Sequence, residues 1–509
     1  MRRSAIATGL AVSLLAAGPA AAETYGLVVG INDYAGVSND LEGAVADAED
    51  IAQALVRSGA ADVLLLTDHG ATKAAIEEAW FKLVEQAQPG DTIVFTYAGH
   101  GAQEPEPHGR GGETDGLNET FVLGGYSSIG PGVAERIIDD EIFAWLTAAD
   151  VKGISVIFLA DSCHSGTMYR AVGDGLRYRL GDFDPPAEEP TDLPDIAFAV
   201  TTEDDFQNVT FIGATQEDRL TPELMIDGVR RGALSWAFAR ALEGAADLDG
   251  DGSLTQHELI AYLVPTVEMQ AQNQQRPQVI PISAQAKPLL VIGAGAPRPV
   301  AVPEVLLRVY VPNAAALPAI DGVGLVLDPA AADLVWDAAT GTVTHSVAGA
   351  VAENVAAGDL PAIVSKWAAL ALLQRYGMLA PFEMTLEEGN AIHHRGEVLT
   401  ITLGGGTHPH LTMFNLAPNG RVEFLRPIGA DEAAMDWTDR TAIERLQVSQ
   451  PPYGAEHLVA ILTETRPDAL RAGLRALSGD TGSAGLVALL RTVLTGDVQV
   501  GILGIYTAE

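Results

Sequence analysis

The sequence is poor in three kinds of feature, and each scarcity excludes a class of protein. There is one cysteine among 509 residues, so no internal disulfide can form. Lys and Arg number 30 against 67 Asp and Glu, and this negative charge argues against nucleic acid as a partner and favours a cationic one. No apolar run is long and uncharged enough to predict a membrane-spanning helix. With 48% hydrophobic and 19% charged residues, the composition is that of a globular protein, long enough for two or three domains.

The first 22 residues predict export. Arg2 and Arg3 precede an apolar run from Ala5 to Ala17, and three alanines follow at 20–22. This order of charged, apolar and small residues is typical of a secretory signal peptide, with cleavage before Glu23. We therefore expect a signal peptide over 1–22 and a periplasmic or secreted mature protein.

Short apolar runs alternate with helical patterns over residues 23–292. This alternation predicts an α/β domain in which a mostly parallel sheet is covered by helices on both faces. Apolar residues between Leu41 and Leu55 recur at the helical period, so one face of that helix should lie on the sheet. The predicted strands are 26–31, 63–66, 92–97, 155–159 and 211–214.

A Gly- and Pro-rich stretch marks the end of this domain. Residues 293–304 read as a linker, and residues 305–509 as a smaller α+β or β-rich domain. In that part we expect a helix from Pro361 to Tyr376, a strand around 399–403 and a hairpin around the Pro418-Asn419-Gly420 turn. The sequence does not indicate the role of this domain or the oligomeric state.

Two of the predicted strands run directly into reactive groups. The third is followed by Gly99-His100-Gly101, and the fourth by a segment that contains Cys163. Because ligands bind at the carboxyl ends of parallel strands, we expect His100 and Cys163 to meet in one crevice. An imidazole can activate a thiol as nucleophile and then protonate a leaving amine, while the backbone N–H groups of Gly101 and Cys163 could hold an oxyanion.

Two carboxylates predict the specificity of such a site. Asp161 lies two residues before Cys163, so both side chains should project to the same side of the strand. Asp47 borders the apolar stripe of the first helix. Buried carboxylates are costly unless a cation pairs with them, and an Arg or Lys side chain of a substrate could be that cation. The alternative is that both residues only cap or bond backbone groups.

A twelve-residue segment predicts a calcium site. From Asp247 to Glu258 oxygen ligands fall at the loop positions of an EF-hand, with Gly252 at the position that needs a sharp turn. Helical patterns flank this loop on both sides. The candidate ligands are Asp247, Asp249, Asp251, Ser253, Thr255 and Glu258, and Ser253 would contribute its backbone carbonyl.

Taken together, the segments around His100 and Cys163 resemble the paired signature of caspase-like cysteine peptidases of the metacaspase type, peptidase family C14. The resemblance spans about residues 25–290 and implies a Cys-His dyad and an acidic pocket formed by Asp47 and Asp161. Residues from about 305 resemble a poorly characterised domain that follows such peptidases in bacterial proteins. Further segments carry the resemblance: 30–34, 97–101, 113–119, 139–141, 161–167 and 232–235.

The resemblance implies a cysteine endopeptidase that acts on peptides or proteins after Arg or Lys, and the EF-hand spacing of residues 247–258 predicts Ca²⁺ as a cofactor. Arg170, Arg177 and Arg179 lie in a long loop after Cys163, so we also expect self-cleavage there. Two alternatives stay open. One is a catalytically silent calcium-binding scaffold or interaction protein, and the other is an Arg-cutting peptidase of the gingipain or legumain type.

Overall fold

The computed structural model describes most of the chain after residue 21. Residues 1–21 of the predicted signal peptide and 293–303 of the predicted linker lie outside it, as do Arg170, Arg177 and Asp249. The described residues are 22–34, 40–105, 117–163, 178–179, 183–186, 206–214, 221–226, 228–247, 250–272, 274–280, 288–292, 304–312, 317–377, 380–389, 392–404, 406–427, 441–448, 451–479, 485–494 and 498–509.

The part of the chain up to Ile292 alternates strands and helices as the sequence predicts. Its elements in chain order are β1 (Thr24–Gly30), α1 (Ala44–Arg57), β2 (Asp62–Thr67), α2 (Lys73–Gln86), β3 (Thr92–Ala98), β4 (Gly101–Pro105), β5 (Leu117–Val122), β6 (Arg136–Ile138), α3 (Asp139–Val151), β7 (Ser155–Asp161), β8 (Val209–Gly213), β9 (Glu223–Ile226), β10 (Val229–Gly232), α4 (Ala233–Arg240), β11 (Ser253–Thr255), α5 (Gln256–Gln270), β12 (Gln278–Ile280) and β13 (Pro288–Val291).

A six-stranded sheet forms the centre of this part, in the order β12-β8-β7-β3-β1-β2. Neighbouring strands are parallel except for β12, which runs antiparallel to β8. Successive residues of a strand face opposite sides, and the two faces therefore feed two separate cores. Val28 packs with α1, α4 and α5, whereas Leu27 and Val29 pack with α2 and α3. The predicted α/β sheet covered by helices on both faces is confirmed.

Helix α1 is capped from a distance. Its own N-cap residue, Gly43, offers no side-chain hydrogen bond. Instead the Asn32 side-chain oxygen, just after β1, accepts the N–H groups of Ala44 at 2.9 Å and Val45 at 3.3 Å. An accepted N–H at this end satisfies a donor that has no partner within the helix. This contact fixes the first turn of α1, and with it the position of Asp47.

The C-terminal part is rich in strands. Its elements are β14 (Leu307–Tyr310), β15 (Val323–Leu325), β16 (Leu334–Asp337), β17 (Thr342–His345), β18 (Gly349–Ala352), α6 (Leu360–Gly377), β19 (Glu383–Leu386), β20 (His393–His394), β21 (Val398–Gly404), β22 (His410–Leu416), β23 (Val422–Arg426), β24 (Thr441–Gln447), β25 (Ala455–Thr463), α7 (Asp468–Leu477), α8 (Leu486–Val493) and β26 (Val498–Ala508).

Two five-stranded sheets and a three-stranded sheet organise this part. They have the orders β15-β14-β16-β17-β18, β20-β26-β25-β22-β23 and β19-β21-β24. Helix α6 contributes Trp367, Leu370 and Leu373 to the core that α7 and α8 also join. The predicted helix, the strand at 399–403 and the hairpin at 418–420 are all present as α6, β21 and the β22–β23 pair, so the β-rich prediction is confirmed.

The two parts of the chain are in direct contact. Gln374 of α6 donates to the Met269 carbonyl at 3.0 Å, and the side chains of His457 and Gln272 bond at 3.2 Å. Val347 joins the same apolar core as Met269. Within the described residues, no helix combines the length and apolar character that a membrane span requires.

Candidate active site

The strand ends bring the predicted catalytic residues to one edge. Strands β3 and β7 are parallel neighbours, with Ala98 opposite Asp161 at their carboxyl ends. His100 and Cys163 each lie two residues beyond that pair. Both are almost completely buried, at 3% and 0% exposure. Both residues thus lie where these two strands end, the place at which the sequence predicts the crevice.

Two tyrosines hold the backbone at His100. The Tyr34 hydroxyl accepts the His100 N–H at 2.7 Å, and the Tyr97 hydroxyl donates to the His100 carbonyl at 2.9 Å. The ring centroids of Tyr34 and His100 are 4.6 Å apart. Sequence reasoning included both tyrosines in the resembling segments but gave them no role, because a tyrosine in a strand-end segment carries no signal of this contact.

The predicted oxyanion donors converge on a carbonyl of the chain itself. The Gly101 N–H donates to the Arg179 carbonyl oxygen at 3.1 Å, and the Cys163 N–H donates to the same oxygen at 3.3 Å. A Cβ atom at position 101 would lie 1.8 Å from the Cys163 carbonyl oxygen, so only glycine permits this close approach. Two backbone donors on one carbonyl are the arrangement that stabilises the oxyanion in acyl transfer.

The segment around Arg179 lies in the crevice in an extended form. Its N–H donates to the Thr221 carbonyl at 2.9 Å, and Tyr178 and Pro222 form an antiparallel bridge. Pairing of an extended peptide with a neighbouring segment is a common mode of peptide recognition. Residues 178–179 therefore occupy the crevice as a bound peptide would.

The Arg179 side chain fills the predicted acidic pocket. Its guanidinium group forms a hydrogen bond with Asp47, and its Nη1 lies 3.0 Å from Asp161 Oδ2. The Nη1 group also donates to the Asp161 carbonyl at 2.9 Å. The side chains of Arg179, Asp47 and Asp161 are all 0% exposed. The pocket thus holds the kind of cation that the sequence predicts for it, supplied by this chain.

Sequence reasoning missed a third carboxylate. Glu223, at the start of β9, is fully buried, and its Oε1 lies 3.7 Å from Arg179 Nη2. Its two oxygens accept the N–H groups of Glu42 and Gly43 at 2.9 and 2.8 Å. A glutamate in a short hairpin gives no sequence signal of a site, so only the folded chain identifies it.

The start of helix α4 supports the other two carboxylates. The Ser235 N–H and Oγ donate to Asp161 Oδ2 at 2.9 and 2.6 Å. The Gly232 N–H donates to Asp47 Oδ2 at 2.8 Å. Backbone donors at a helix N-terminus favour negative charge. The segment 232–235, which the sequence resemblance includes, thus stabilises the pocket.

The Cys163 thiol is held in a neutral state in this arrangement. Burial raises the pKa of Cys163 to about 11, and neither the Thr221 N–H, 3.0 Å from Sγ, nor the Arg179 charge offsets that effect. A thiolate is the nucleophilic form. The side chain therefore becomes reactive only when the segment that covers it moves or a base removes its proton.

Asp47 is also perturbed. Burial raises the pKa of Asp47 to about 7, with Arg179 opposing the shift and Asp161 adding to it. The effect of burial thus outweighs the attraction of the Arg179 charge for the ionised carboxylate. The charge of the pocket near neutral pH consequently depends on Asp47.

The predicted calcium loop joins α4 to α5. A short π-helix (Ala241–Ala245) continues α4, and Gly252 has the positive φ of 82° that its loop position requires. Asp247 accepts the N–H groups of Gly250 and Gly252 at 2.8 and 3.0 Å. In the part of the chain that the structure describes, which omits Asp249, no three His, Cys, Asp or Glu side chains form a metal cluster.

The second half of the loop is held by a strand and by the first turn of α5. Ser253 and Thr255 belong to β11, which pairs with β13, and Thr255 and Glu258 form the capping box of α5. Oxygen donors of this kind suit calcium. The residues fit the ion, and calcium binding stays a prediction.

Comparison with known proteins finds relatives of the N-terminal part of the chain. Residues 25–171 match the family model described as "Metacaspase, peptidase C14 domain". Metacaspase-1 of Coccidioides immitis is 28% identical over 43% of this chain and 54% of its own length. Metacaspase-1 of Mycosarcoma maydis is 35% identical over 28% of this chain and 35% of its own length. The chain thus spans about half the length, or less, of these curated relatives.

Among solved structures, caspase-1 of Spodoptera frugiperda has a TM-score of 0.34 and 11% identity over 54% of this chain and 92% of its own. A protein of Geobacter sulfurreducens has a TM-score of 0.38 and 23% identity over 53% of this chain and 99% of its own. Residues 25–171 of this chain are thus similar to the peptidase domains of family C14. Within that family the similarity is to the metacaspase type.

Proposed function

We propose that this chain is an exported cysteine endopeptidase that cleaves peptide bonds after Arg or Lys with Cys163 and His100. The observation that carries the proposal is the seating of Arg179. Its carbonyl oxygen accepts the N–H groups of Gly101 and Cys163, and its guanidinium group lies among three buried carboxylates. A substrate arginine bound in this way would present its carbonyl carbon to Cys163.

The mechanism follows from the roles of these groups. His100 takes the proton of the Cys163 thiol, and the thiolate sulfur bonds to the substrate carbonyl carbon. The Gly101 and Cys163 N–H groups stabilise the resulting oxyanion. The carbon–nitrogen bond then breaks and His100 protonates the leaving amine. Water, deprotonated by His100, hydrolyses the thioester and restores the thiol.

The pocket geometry favours Arg over Lys. Arg179 directs Nη1 to Asp161 and Nη2 to Asp47 and Glu223, so the two ends of the planar group meet different carboxylates. A lysine ammonium is a single point charge on a stem of different reach. It would leave at least one buried carboxylate without a charged partner. We expect Lys substrates to be cleaved about 10-fold or more less efficiently.

Self-processing is part of the proposal. The bond after Arg179, to Leu180, is the one that the seated carbonyl would expose to Cys163. Its cleavage would free the pocket for other substrates and relieve the burial of the thiol. The pKa of Cys163, raised to about 11 by burial, is consistent with low activity before that event.

Peptide cleavage and intact mass test these points together. Mature protein should cleave fluorogenic peptides with Arg before the reporter, and Cys163→Ala should abolish this. Wild type should split after residue 179, Arg179→Gln should stay intact, and Arg177→Gln, in the same loop, should still split. Cleavage of Asp peptides alone would overturn the pocket assignment, and no turnover of any peptide would favour a silent scaffold.

We further propose that the loop from Asp247 to Glu258 binds calcium. Its support is the EF-hand spacing, the positive φ of Gly252 and the helix on each side. Calcium should raise the midpoint of thermal unfolding of Cys163→Ala, which cannot cleave itself, and magnesium should do so less. Glu258→Gln should remove the calcium effect. An unchanged midpoint at millimolar calcium would contradict the assignment.

The predicted signal peptide at residues 1–22 provides the test of export. The charged, apolar and small-residue order of 1–22 supports removal of that segment on the way out of the cytoplasm. N-terminal sequencing of protein recovered from the periplasm or medium should begin at Glu23. Recovery of only full-length protein from the cytoplasm would overturn this proposal.

A further inference from the structure

Residues 178–179 and 183–186 form what we call the covering segment, and an aromatic side chain of this segment lies beside His100. Phe183 is four residues beyond Arg179 and half-buried. Its ring centroid is 5.7 Å from that of His100, 5.8 Å from that of Tyr34 and 5.9 Å from that of Tyr126. Two of these pairs, with His100 and Tyr126, are edge-to-face, a favourable geometry for aromatic rings.

Tyr34, His100 and Tyr126 form a recess around the Phe183 ring. Contacts with other parts of the fold hold these three residues in place. Tyr34 accepts the His100 N–H, as described above. Tyr126 is 6% exposed, and its N–H donates to the Leu123 carbonyl at 3.0 Å. The Tyr126 hydroxyl reaches the covering segment as well, donating to the Asp184 carbonyl at 2.8 Å. The recess therefore recognises both a ring and the backbone next to it.

We infer that Tyr34, His100 and Tyr126 form a subsite for an aromatic residue at the fourth position after the cleaved bond. This inference rests on the proposed function, since it takes Arg179 as the residue before that bond. Phe183 then occupies the position that a residue on the leaving side of a substrate would take. Selectivity of this enzyme thus extends beyond the acidic pocket to the opposite side of the reacting carbonyl.

The physical basis of the selectivity is ring contact and burial. Replacing an aromatic residue by alanine removes two edge-to-face pairs and apolar area that is withdrawn from water. We expect an alanine at the fourth position to lower kcat/KM about 5- to 10-fold. A peptide with leucine at this position should have an intermediate kcat/KM, since leucine restores apolar area but not the ring geometry.

The test uses internally quenched peptides of one sequence with a single Arg. They differ only in the fourth residue after Arg, which is Phe, Leu or Ala. The enzyme is wild-type protein incubated until its own mass no longer changes. The expected order of kcat/KM is Phe, Leu, Ala. Equal rates for the three peptides overturn the subsite and leave the proposed function standing, whereas cleavage of none overturns the proposed function and the subsite with it.

Two variants identify the wall of the subsite. Tyr126→Leu should reduce the Phe-to-Ala ratio of kcat/KM about threefold or more, and Tyr126→Phe, which keeps the ring, should preserve most of it. A merely structural role of Tyr126 would lower both rates together and leave their ratio unchanged. Thermal unfolding of both variants shows that the comparison is made on folded protein, and an unchanged ratio in folded Tyr126→Leu overturns the assignment.

Discussion

Asp47 shows how one residue can make the acidic pocket sensitive to pH. The Arg179 charge lowers the pKa of Asp47, although burial still leaves it at about 7. Departure of the cation removes that lowering, so the carboxylate takes up a proton more readily when the pocket is empty. Binding of any cation there is therefore coupled to loss of a proton from Asp47.

This coupling predicts tighter cation binding as pH rises. Benzamidine, a planar cation, should bind Cys163→Ala/Arg179→Ala, whose pocket lacks its own arginine, about 3- to 10-fold more tightly at pH 9 than at pH 7. In the same background Asp47→Asn should bind it more weakly and with little pH dependence. Calorimetric titration at several pH values measures both. The same pH slope in the Asp47→Asn protein would assign the proton to another group.

The residues of the site were predictable to different degrees, for physical reasons. His100 and Cys163 follow buried strands, and the carboxyl ends of parallel strands mark a site from sequence alone. Asp47 was predictable as a site residue because a carboxylate beside the apolar stripe of a helix is costly to bury without a cation as its partner. Glu223 and Thr221 reach the crevice only through the fold of a separate hairpin, which no local pattern encodes. Arg179 could be predicted as a site of self-cleavage. That its side chain lies in the acidic pocket could not be predicted.

At the scale of single elements, the cap of α1 connects stability with specificity. Asn32 satisfies the N–H groups of Ala44 and Val45 from outside the helix, and Asp47 lies one turn further on. Loss of this acceptor leaves two donors without a side-chain partner and loosens the turn that positions the carboxylate.

We expect Asn32→Ala to lower the free energy of unfolding by about 1–2 kcal/mol and to raise KM for Arg peptides. Asn32→Asp, which keeps an oxygen acceptor, should have a free energy of unfolding and a KM close to those of wild type. Urea unfolding of the Cys163→Ala background measures the first effect, and peptide kinetics in active protein measure the second. Equal stability of wild type and Asn32→Ala would show that water replaces the cap without loss.

Helix α4 joins the acidic pocket to the predicted calcium loop. Its first turn bonds Asp161 and Asp47 through Ser235 and Gly232, and its far end leads through the π-helix into Asp247. A loop that is ordered by calcium would fix the helix that holds both carboxylates. The coupling would act on substrate binding, and so on KM more than on kcat.

Gly252 provides a test of that loop. Its φ of 82° is strained for any residue with a Cβ, so Gly252→Ala should weaken the rise in unfolding midpoint that calcium causes. The matched control is Gly358→Ala, where a Cβ would meet nothing within 4 Å. Differential scanning fluorimetry against calcium concentration compares the two. The same calcium response in both variants would argue that this loop does not bind the ion.

At the scale of the molecule, the parallel sheet was predictable and the arrangement of the C-terminal sheets was not. Alternating strands and helices admit few parallel-sheet topologies, and the carboxyl edge then fixes the site. Short strands pair in many ways, and the parallel register that joins His393 of β20 to Thr507 of β26, 114 residues further on, leaves no local trace in the sequence. Contacts such as Gln374 with Met269 depend on how both parts fold.

The C-terminal part also buries titratable groups around one tryptophan. His345 stacks on Trp367 at 4.3 Å, His457 meets its edge at 5.0 Å, and the Lys366 ammonium lies 5.7 Å from a ring centroid. Burial lowers the pKa of Lys366 to about 7 and that of His345 to about 4. Both groups are consequently disfavoured in their charged forms inside the fold.

His345 should make the folded chain sensitive to acid. Its pKa falls from 6.5 to about 4 on folding, so below pH 6.5 the unfolded chain binds a proton that the folded chain refuses. Its contribution is complete above pH 6.5 and is lost as pH drops toward 4, up to about 3 kcal/mol. His345→Asn should destabilise the protein at pH 8 through lost stacking, and much less at pH 5. Unfolding midpoints of wild type and His345→Asn at both pH values measure this change. An equal deficit at pH 8 and pH 5 would mean that folding leaves the pKa of His345 unchanged.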